Sequence, residues 1–134
     1  MTIDHVALWT DDLERLKDFY IKYFGATANE KYYNIKTNFE SYFLTFGSLT
    51  KLEIMTRPGV PENKNDTIKA QHKGIIHLAF GVDKQDDVDE KARQLLADGF
   101  RILRGPRISG DGYYEFETVD PDNNRLEVIT KLPV

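Results

Sequence analysis

Two stretches of the chain read alike: Ile3-Asp4-His5-Val6-Ala7-Leu8-Trp9 and Gly74-Ile75-Ile76-His77-Leu78-Ala79-Phe80, with their histidines 72 positions apart. Each is short and apolar on both sides of one histidine, the pattern of a largely buried strand. In the first, alternation puts Ile3, His5, Ala7 and Trp9 on one face and Asp4, Val6 and Leu8 on the other. A helix is predicted after each. Asp11 reads as the N-cap of the first, with Glu14 three residues on completing a capping box. Leu13, Leu16, Phe19, Tyr20, Tyr23 and Phe24 recur at helical spacing, and Gly25 stands where a left-handed cap belongs. The second helix is predicted over 85–98, with Val88, Ala92, Leu95 and Leu96 on one face and Gly99 as stop. Strand-like runs follow at about 27–35, 42–46 and 51–55, and again at 100–104, 113–119 and 125–130. Gly105 to Gly112 and Asp120 to Asn124 have turn compositions. The order is βαβββ twice.

Glu53, in Lys-Leu-Glu-Ile, and Glu127, in Arg-Leu-Glu-Val, are 74 positions apart, so one loop absorbs the two-residue difference between offsets. A period this long is no solenoid repeat. It predicts two supersecondary units sharing one sheet: a single domain over 1–134, made of modules 1–56 and 74–134. A polar linker, 57–73, joins them and opens with Pro58, Gly59 and Pro61.

Composition narrows the chemistry. Hydrophobic residues are 40% and charged residues 30%, a globular balance. The net charge of −4 argues against non-specific nucleic-acid binding, which needs basic patches. The absence of cysteine excludes disulfides, thiol catalysis, Fe–S clusters and thiolate zinc sites. Any metal must be held by carboxylates and the three histidines. No run approaches the ~20 apolar residues of a membrane span. The first residues carry no basic-then-apolar signal, so the expected location is the cytoplasm, with no membrane partner.

His5 and His77 each sit mid-strand, and Glu53 and Glu127 alternate with apolar neighbours. A buried, unpaired carboxylate is costly, so each acid faces solvent or has a partner. If the modules are related by a pseudo-two-fold, two imidazoles and two carboxylates converge. Such a set suits one divalent Zn, Ni, Co, Mn or Fe ion. Taken one at a time, a strand histidine is more often structural and such a glutamate more often solvent-facing. The match between repeats is the stronger signal.

These residues resemble a known family. Ile3-Asp4-His5-Val6-Ala7-Leu8 with the helix ending Asp18-Phe19-Tyr20…Phe24-Gly25, then Leu52-Glu53-Ile54, Ile76-His77-Leu78-Ala79-Phe80 and Asp120-Pro121-Asp122-Asn123-Asn124-Arg125-Leu126-Glu127, look like the vicinal oxygen chelate superfamily. That superfamily holds glyoxalase I, methylmalonyl-CoA epimerase, extradiol dioxygenases, fosfomycin-resistance proteins and metal-free bleomycin-binding proteins. The last motif usually has Gly where Asn123 stands, and Asn also tolerates the left-handed conformation. The resemblance implies an α+β fold in which two βαβββ modules form a half-open, mixed β-barrel with the helices outside. It also implies a divalent metal on His5, Glu53, His77 and Glu127, a small-molecule substrate and a homodimer. The site then forms within one chain or across two.

The His-Glu-His-Glu order resembles glyoxalase I more than the three-ligand dioxygenases. The implied reaction is a lyase or isomerase step: a carboxylate, Glu53 or preferably Glu127, takes the proton beside a chelated oxygen and returns it. A carboxylate bound to a cation is a weak base, so it must detach first. Two positions depart from glyoxalase I. Trp9 stands where an arginine grips glutathione, and Arg57 where an asparagine does, so neither glutathione contact carries over. The substrate is a hydroxycarbonyl, another thiol adduct or a CoA ester. The alternatives are a non-catalytic, antibiotic-type binding protein, an epimerase and an extradiol dioxygenase. Trp9, Arg107 and Tyr113 are candidate pocket residues, each with a plain packing or turn reading beside it. His72, in the polar linker, is expected to be exposed and uninvolved. The acids at 86–90 are expected to open the second helix, where they favour its dipole.

Overall fold

The computed structural model describes residues 1–133. The chain forms two compact units, 1–63 and 64–134. In the first, strand β1 (His5–Trp9) leads to helix α1 (Leu13–Phe24), then β2 (Thr27–Ala28), β3 (Tyr32–Asn34), β4 (Phe39–Thr45) and β5 (Lys51–Thr56). These make a five-stranded sheet in the order β1-β5-β4-β2, with β3 also on β4. In the second, β6 (His77–Gly81), α2 (Gln85–Ala97), β7 (Ile102–Ile108), β8 (Tyr113–Val119) and β9 (Arg125–Lys131) make a four-stranded sheet, β6-β9-β8-β7. The α+β class holds. The strands form two sheets rather than one shared sheet, and neither is a closed barrel.

Each sheet is mixed. The first strand of a unit runs parallel to its last, β1 with β5 and β6 with β9, and the remaining pairs are antiparallel. Each helix covers one face of its own sheet. Leu13, Leu16, Phe19, Tyr20 and Tyr23 of α1 are buried, as are Leu44, Leu52 and Ile54 of the sheet. Val88, Ala92 and Leu95 of α2 are buried likewise, with Phe116, Leu126 and Val128 of the sheet. The other face of each sheet carries His5 and Glu53, or His77 and Glu127.

Several local expectations change. The cap of α1 is Asp12, whose side chain accepts from Arg15 N at 3.0 Å, rather than Asp11. Glu14 pairs with Lys17 and Lys31 and accepts from the Tyr42 hydroxyl instead of closing a capping box. Gly25 does take the left-handed cap, at φ 66°. Leu96 lies off the packed face, 62% exposed. β1 is half-buried, because alternate side chains on its open face are exposed. The run at 27–35 breaks into β2 and β3: Asn29 bonds Phe43 through its side-chain oxygen and its N–H, ending the regular ladder. The segment 105–108 is strand, and only 109–112 turns. β7 slips register between Ile102 and Arg104 and again between Arg104 and Arg107. Pro106 falls in the second of these gaps, where no ladder hydrogen bond is needed from it.

Residues 64–70 pack as part of the second unit. Asp66 accepts from Ile68 N and Lys69 N, forming a short turn. The buried Arg125 donates from Nε to Thr67 O and from Nη2 to Ile68 O, and Thr67 Oγ1 donates to Asn123 O. Asn123 sits at φ 64°, and Asp120 ties the β8–β9 turn by accepting from the Asp122 and Asn124 N–H groups. His72 is half-buried rather than exposed, and its buried Nδ1 has no hydrogen-bond partner among the described residues.

Candidate metal centre

The repeat survives at the level of single rungs. In the first unit His5 stands opposite Lys51 and Ala7 opposite Glu53. In the second His77 stands opposite Arg125 and Ala79 opposite Glu127. Each histidine therefore lies diagonal to a glutamate two residues further along the parallel partner strand. Diagonal neighbours on one face lie within reach of long side chains. His5 Nε2 is 3.7 Å from Glu53 Oε1, and His77 Nε2 is 3.3 Å from Glu127 Oε2.

Both separations are long for a hydrogen bond. Two donors about 2.1 Å from one ion, at tetrahedral or octahedral angles, stand about 3.0–3.4 Å apart. The second pair fits that spacing and the first is a little open. The His5 ring gives a further indication. Its Nδ1 lies 2.8 Å from Asp4 Oδ2, and a carboxylate only accepts, so Nδ1 carries the proton. In the neutral ring Nε2 then turns a lone pair towards the Glu53 carboxylate, an arrangement that a cation between them relieves. Outer carboxylates that orient a ligating histidine in this way are usual at metal sites. The hydrogen bond from His5, with Lys51 nearby, holds the Asp4 carboxyl below its ordinary range. His77 has no matching carboxylate before it, since Ile76 occupies that place. Among the described residues no group of three or more His, Asp or Glu forms a metal cluster; the donors stand as two pairs, one per unit.

The surroundings of the pairs differ. Around His5 the open face is aromatic. Phe43 meets the imidazole edge-on at 5.3 Å, and Trp9 meets Phe39 edge-on at 6.1 Å. Around His77 it is ionic. Glu117 stands opposite Glu127 and is bound by Arg125 at 3.3 Å, while Glu115 is bound by Arg107 at 2.8 Å. Burial pushes the Glu127 carboxyl up; His77 and Arg107 oppose the rise, and Glu115 and Glu117 add to it.

The three pocket candidates divide accordingly. Trp9 shares the open face with His5 and is 40% exposed. Arg107 is held by Glu115. Tyr113 is half-buried on the face that carries Glu115, Glu117 and Glu127, while Tyr114 points to the helix side and donates to Asp89 at 2.7 Å. Asp4, Phe43, Glu115 and Glu117 did not stand out in the sequence. The signal for the last two was parity along β8, and for Asp4 its place beside the histidine.

No helix of the described residues is long and apolar enough to cross a membrane. The chain is 28% identical over 112 residues, 82% of its length, to the mitochondrial methylmalonyl-CoA epimerase of Dictyostelium discoideum. The matched stretches span 65% and 46% of two curated relatives, less than two thirds of either. Among solved structures, a glyoxalase/bleomycin resistance protein/dioxygenase domain from Frankia sp. EAN1pec is similar at TM-score 0.78 and 18% identity, covering 98% of both chains. The trypanothione-dependent glyoxalase I of Leishmania major is similar at TM-score 0.73 and 23% identity, covering 97% of this chain and 86% of that one. The family model that matches residues 2–128 takes in both halves of the repeat and all four of these His and Glu side chains, and the chain therefore belongs to the Glyoxalase/Bleomycin resistance protein/Dioxygenase superfamily.

Proposed function

We propose that the protein is a divalent-metal-dependent lyase or isomerase of glyoxalase type, moving a proton on the carbon beside a chelated oxygen. The observation that supports this reading most is the rung-matched His–Glu pair in each unit, with the imidazole Nε2 facing the carboxylate. In this reading His5, Glu53, His77 and Glu127 hold one ion of Zn, Ni, Co, Mn or Fe, a donor set such ions accept. The bound ion supplies Lewis acidity at the substrate's oxygens.

The chain's own residues do the rest. Glu127, which would have to leave the ion as substrate binds, takes the proton from carbon and returns it. Burial raises its affinity for a proton, which strengthens it as a base. On its face the other two glutamates are neutralised by arginines, which leaves Glu127, beside His77, as the carboxylate available for proton transfer. Asp4 holds the His5 ring so that Nε2 faces Glu53. Glu53 would remain a ligand while Glu127 is detached and protonated. The working unit in this proposal is a homodimer acting on a small molecule.

A second reading, an acyl-CoA epimerase, is favoured by the similarity to the Dictyostelium enzyme. It also begins with removal of a proton and differs in where one goes back: to the opposite face of the same carbon in an epimerase, which needs a proton donor on that face as well as the base, and to the neighbouring carbon in a glyoxalase. Incubation in D2O with Ni²⁺ or Zn²⁺ separates the two. Methylglyoxal with glutathione and methylmalonyl-CoA are offered in parallel, and deuterium is located in the product. Exchange is expected on one of them, with Glu127→Gln slowing it about a thousandfold. If calorimetry finds no divalent binding, the proposal fails. Metal binding with no exchange on either substrate would assign the chain to the non-catalytic binders.

A further inference from the structure

The repeat has a third matched position. Lys51 and Arg125 are 74 positions apart, as Glu53 and Glu127 are. Each is the rung partner of a histidine, Lys51 of His5 and Arg125 of His77, and each precedes its glutamate by two residues on the same face. Each also reaches the side chain opposite that glutamate. The Lys51 ammonium lies 5.5 Å from the centre of the Phe43 ring, and Arg125 Nη1 lies 3.3 Å from Glu117 Oε2. Each is tied as well to the chain that leads into the histidine's strand. Lys51 Nζ is 3.5 Å from Asp4 Oδ1, and Arg125 donates to the carbonyls of Thr67 and Ile68.

The two ties differ in rigidity. The Lys51 side chain is 35% exposed and that of Arg125 only 8%. A guanidinium presents its N–H groups in a fixed planar fork. In Arg125, Nε, Nη1 and Nη2 each have a different partner, so the plane cannot turn without losing one. A buried ion pair is poor evidence for stability, because desolvation cancels much of its attraction; its place in the fold is more informative. This one side chain joins three elements: β9, which carries Glu127 two residues on; β8, whose Glu117 stands opposite Glu127; and the segment 67–68, from which the chain runs directly into β6 and His77.

We infer that Arg125 is the positioning residue of the His77–Glu127 pair: its fork, and not its charge alone, keeps the imidazole and the carboxylate in place on β6 and β9. It acts through Glu117 on one side and through the 67–68 carbonyls on the other. The consequence for a divalent ion rests on the metal reading. The positioning itself does not, and it is visible in metal-free protein.

The test compares the parent protein with Arg125→Lys and Arg125→Gln by NMR, metal-free and at about pH 8.5, above the ordinary histidine range. Lysine keeps a charge beside Glu117 and loses the fork. In Arg125→Lys the His77 ring resonances are expected to move or broaden, and the amides of 67–77 to exchange about tenfold faster. Arg125→Gln should show larger changes; if it does not fold, Arg125→Lys carries the test. The His5 ring, in the other unit, should stay as in the parent. Leu95→Ala removes a buried side chain of α2 on the other face of the same sheet, and so shows what lost stability alone does. It should leave the His77 ring unmoved. Calorimetry with Ni²⁺ or Zn²⁺ follows, where Arg125→Lys should bind about tenfold more weakly and Leu95→Ala as the parent does. The inference is overturned if Arg125→Lys keeps the parent's His77 resonances and exchange rates, if Leu95→Ala or the His5 ring changes as much, or if Arg125→Lys binds the ion as tightly as a metal-binding parent. A parent that binds no divalent ion sinks the metal reading, and the metal-free spectra still decide the role of Arg125.

Discussion

At φ 82°, Gly105 turns the position of its missing Cβ towards the Glu115 carbonyl oxygen, 2.5 Å away. Nothing there is a flexible side-chain end; the close neighbours are backbone atoms of β7 and β8. Alanine must push the strands apart and adopt a backbone conformation that L residues avoid. Gly105→Ala is expected to cost about 2–4 kcal/mol in urea unfolding and to loosen the Arg107–Glu115 pair two residues on. The four His and Glu positions were legible because a costly residue type recurred at matched places in two copies. Asp4 was not: an aspartate before a strand reads as an ordinary surface acid, and only the ring orientation of His5 gives it a role. Arg107 read as free for an anion, because the sequence does not show that Glu115 faces it from the next strand. His72 read as exposed because its neighbours are polar, although its own Nδ1 is buried.

Among the elements, α1 was the most legible, since five of its six expected apolar positions are buried. Its first turn was less so. Glu14 reaches across the sheet to Lys31 and Tyr42, a contact that helix rules alone do not contain. Hydrogen bonds from Lys17 first, then Lys31 and Tyr42, hold its carboxyl down to about 2. A depressed folded-state pKa gives stability that is complete above the unfolded value and is lost as pH falls through the folded one. The window here runs from about pH 4.5 down to about 2. The group is half exposed, so the contribution after screening is under about 1 kcal/mol. Glu14→Gln should therefore lower the urea midpoint slightly near neutral pH and match the parent protein near pH 2. β7 was misread for the opposite reason. Gly105 and Pro106 are turn-formers by composition, but a bulged strand accommodates both where its ladder is interrupted.

For the molecule as a whole, the repeat carried the most information. Two βαβ frames with one register were readable from spacing alone, whereas division into two sheets depends on pairings that periodicity does not encode. The proposed metal site makes a test at this scale possible. His5→Ala and His77→Ala are each expected to lose divalent binding by at least tenfold in calorimetry. A refolded mixture of the two then shows how sites are composed. Binding recovered in a fraction of the sites means that each site takes one unit from each chain. No recovery means that both units of a site belong to one chain.

The hold of Arg125 on residues 67 and 68 bears on where this chain can be opened. The stretch from Arg57 to Lys73 looks uniformly polar, yet its second half supplies the acceptors for a buried guanidinium. Cleavage or insertion within 66–70 strands that guanidinium beside the Glu117 carboxylate without its backbone partners. Gly59 to Glu62 supplies none of these acceptors. A reporter peptide, a protease site or new chain ends belong there, on the near side of the turn that Asp66 begins.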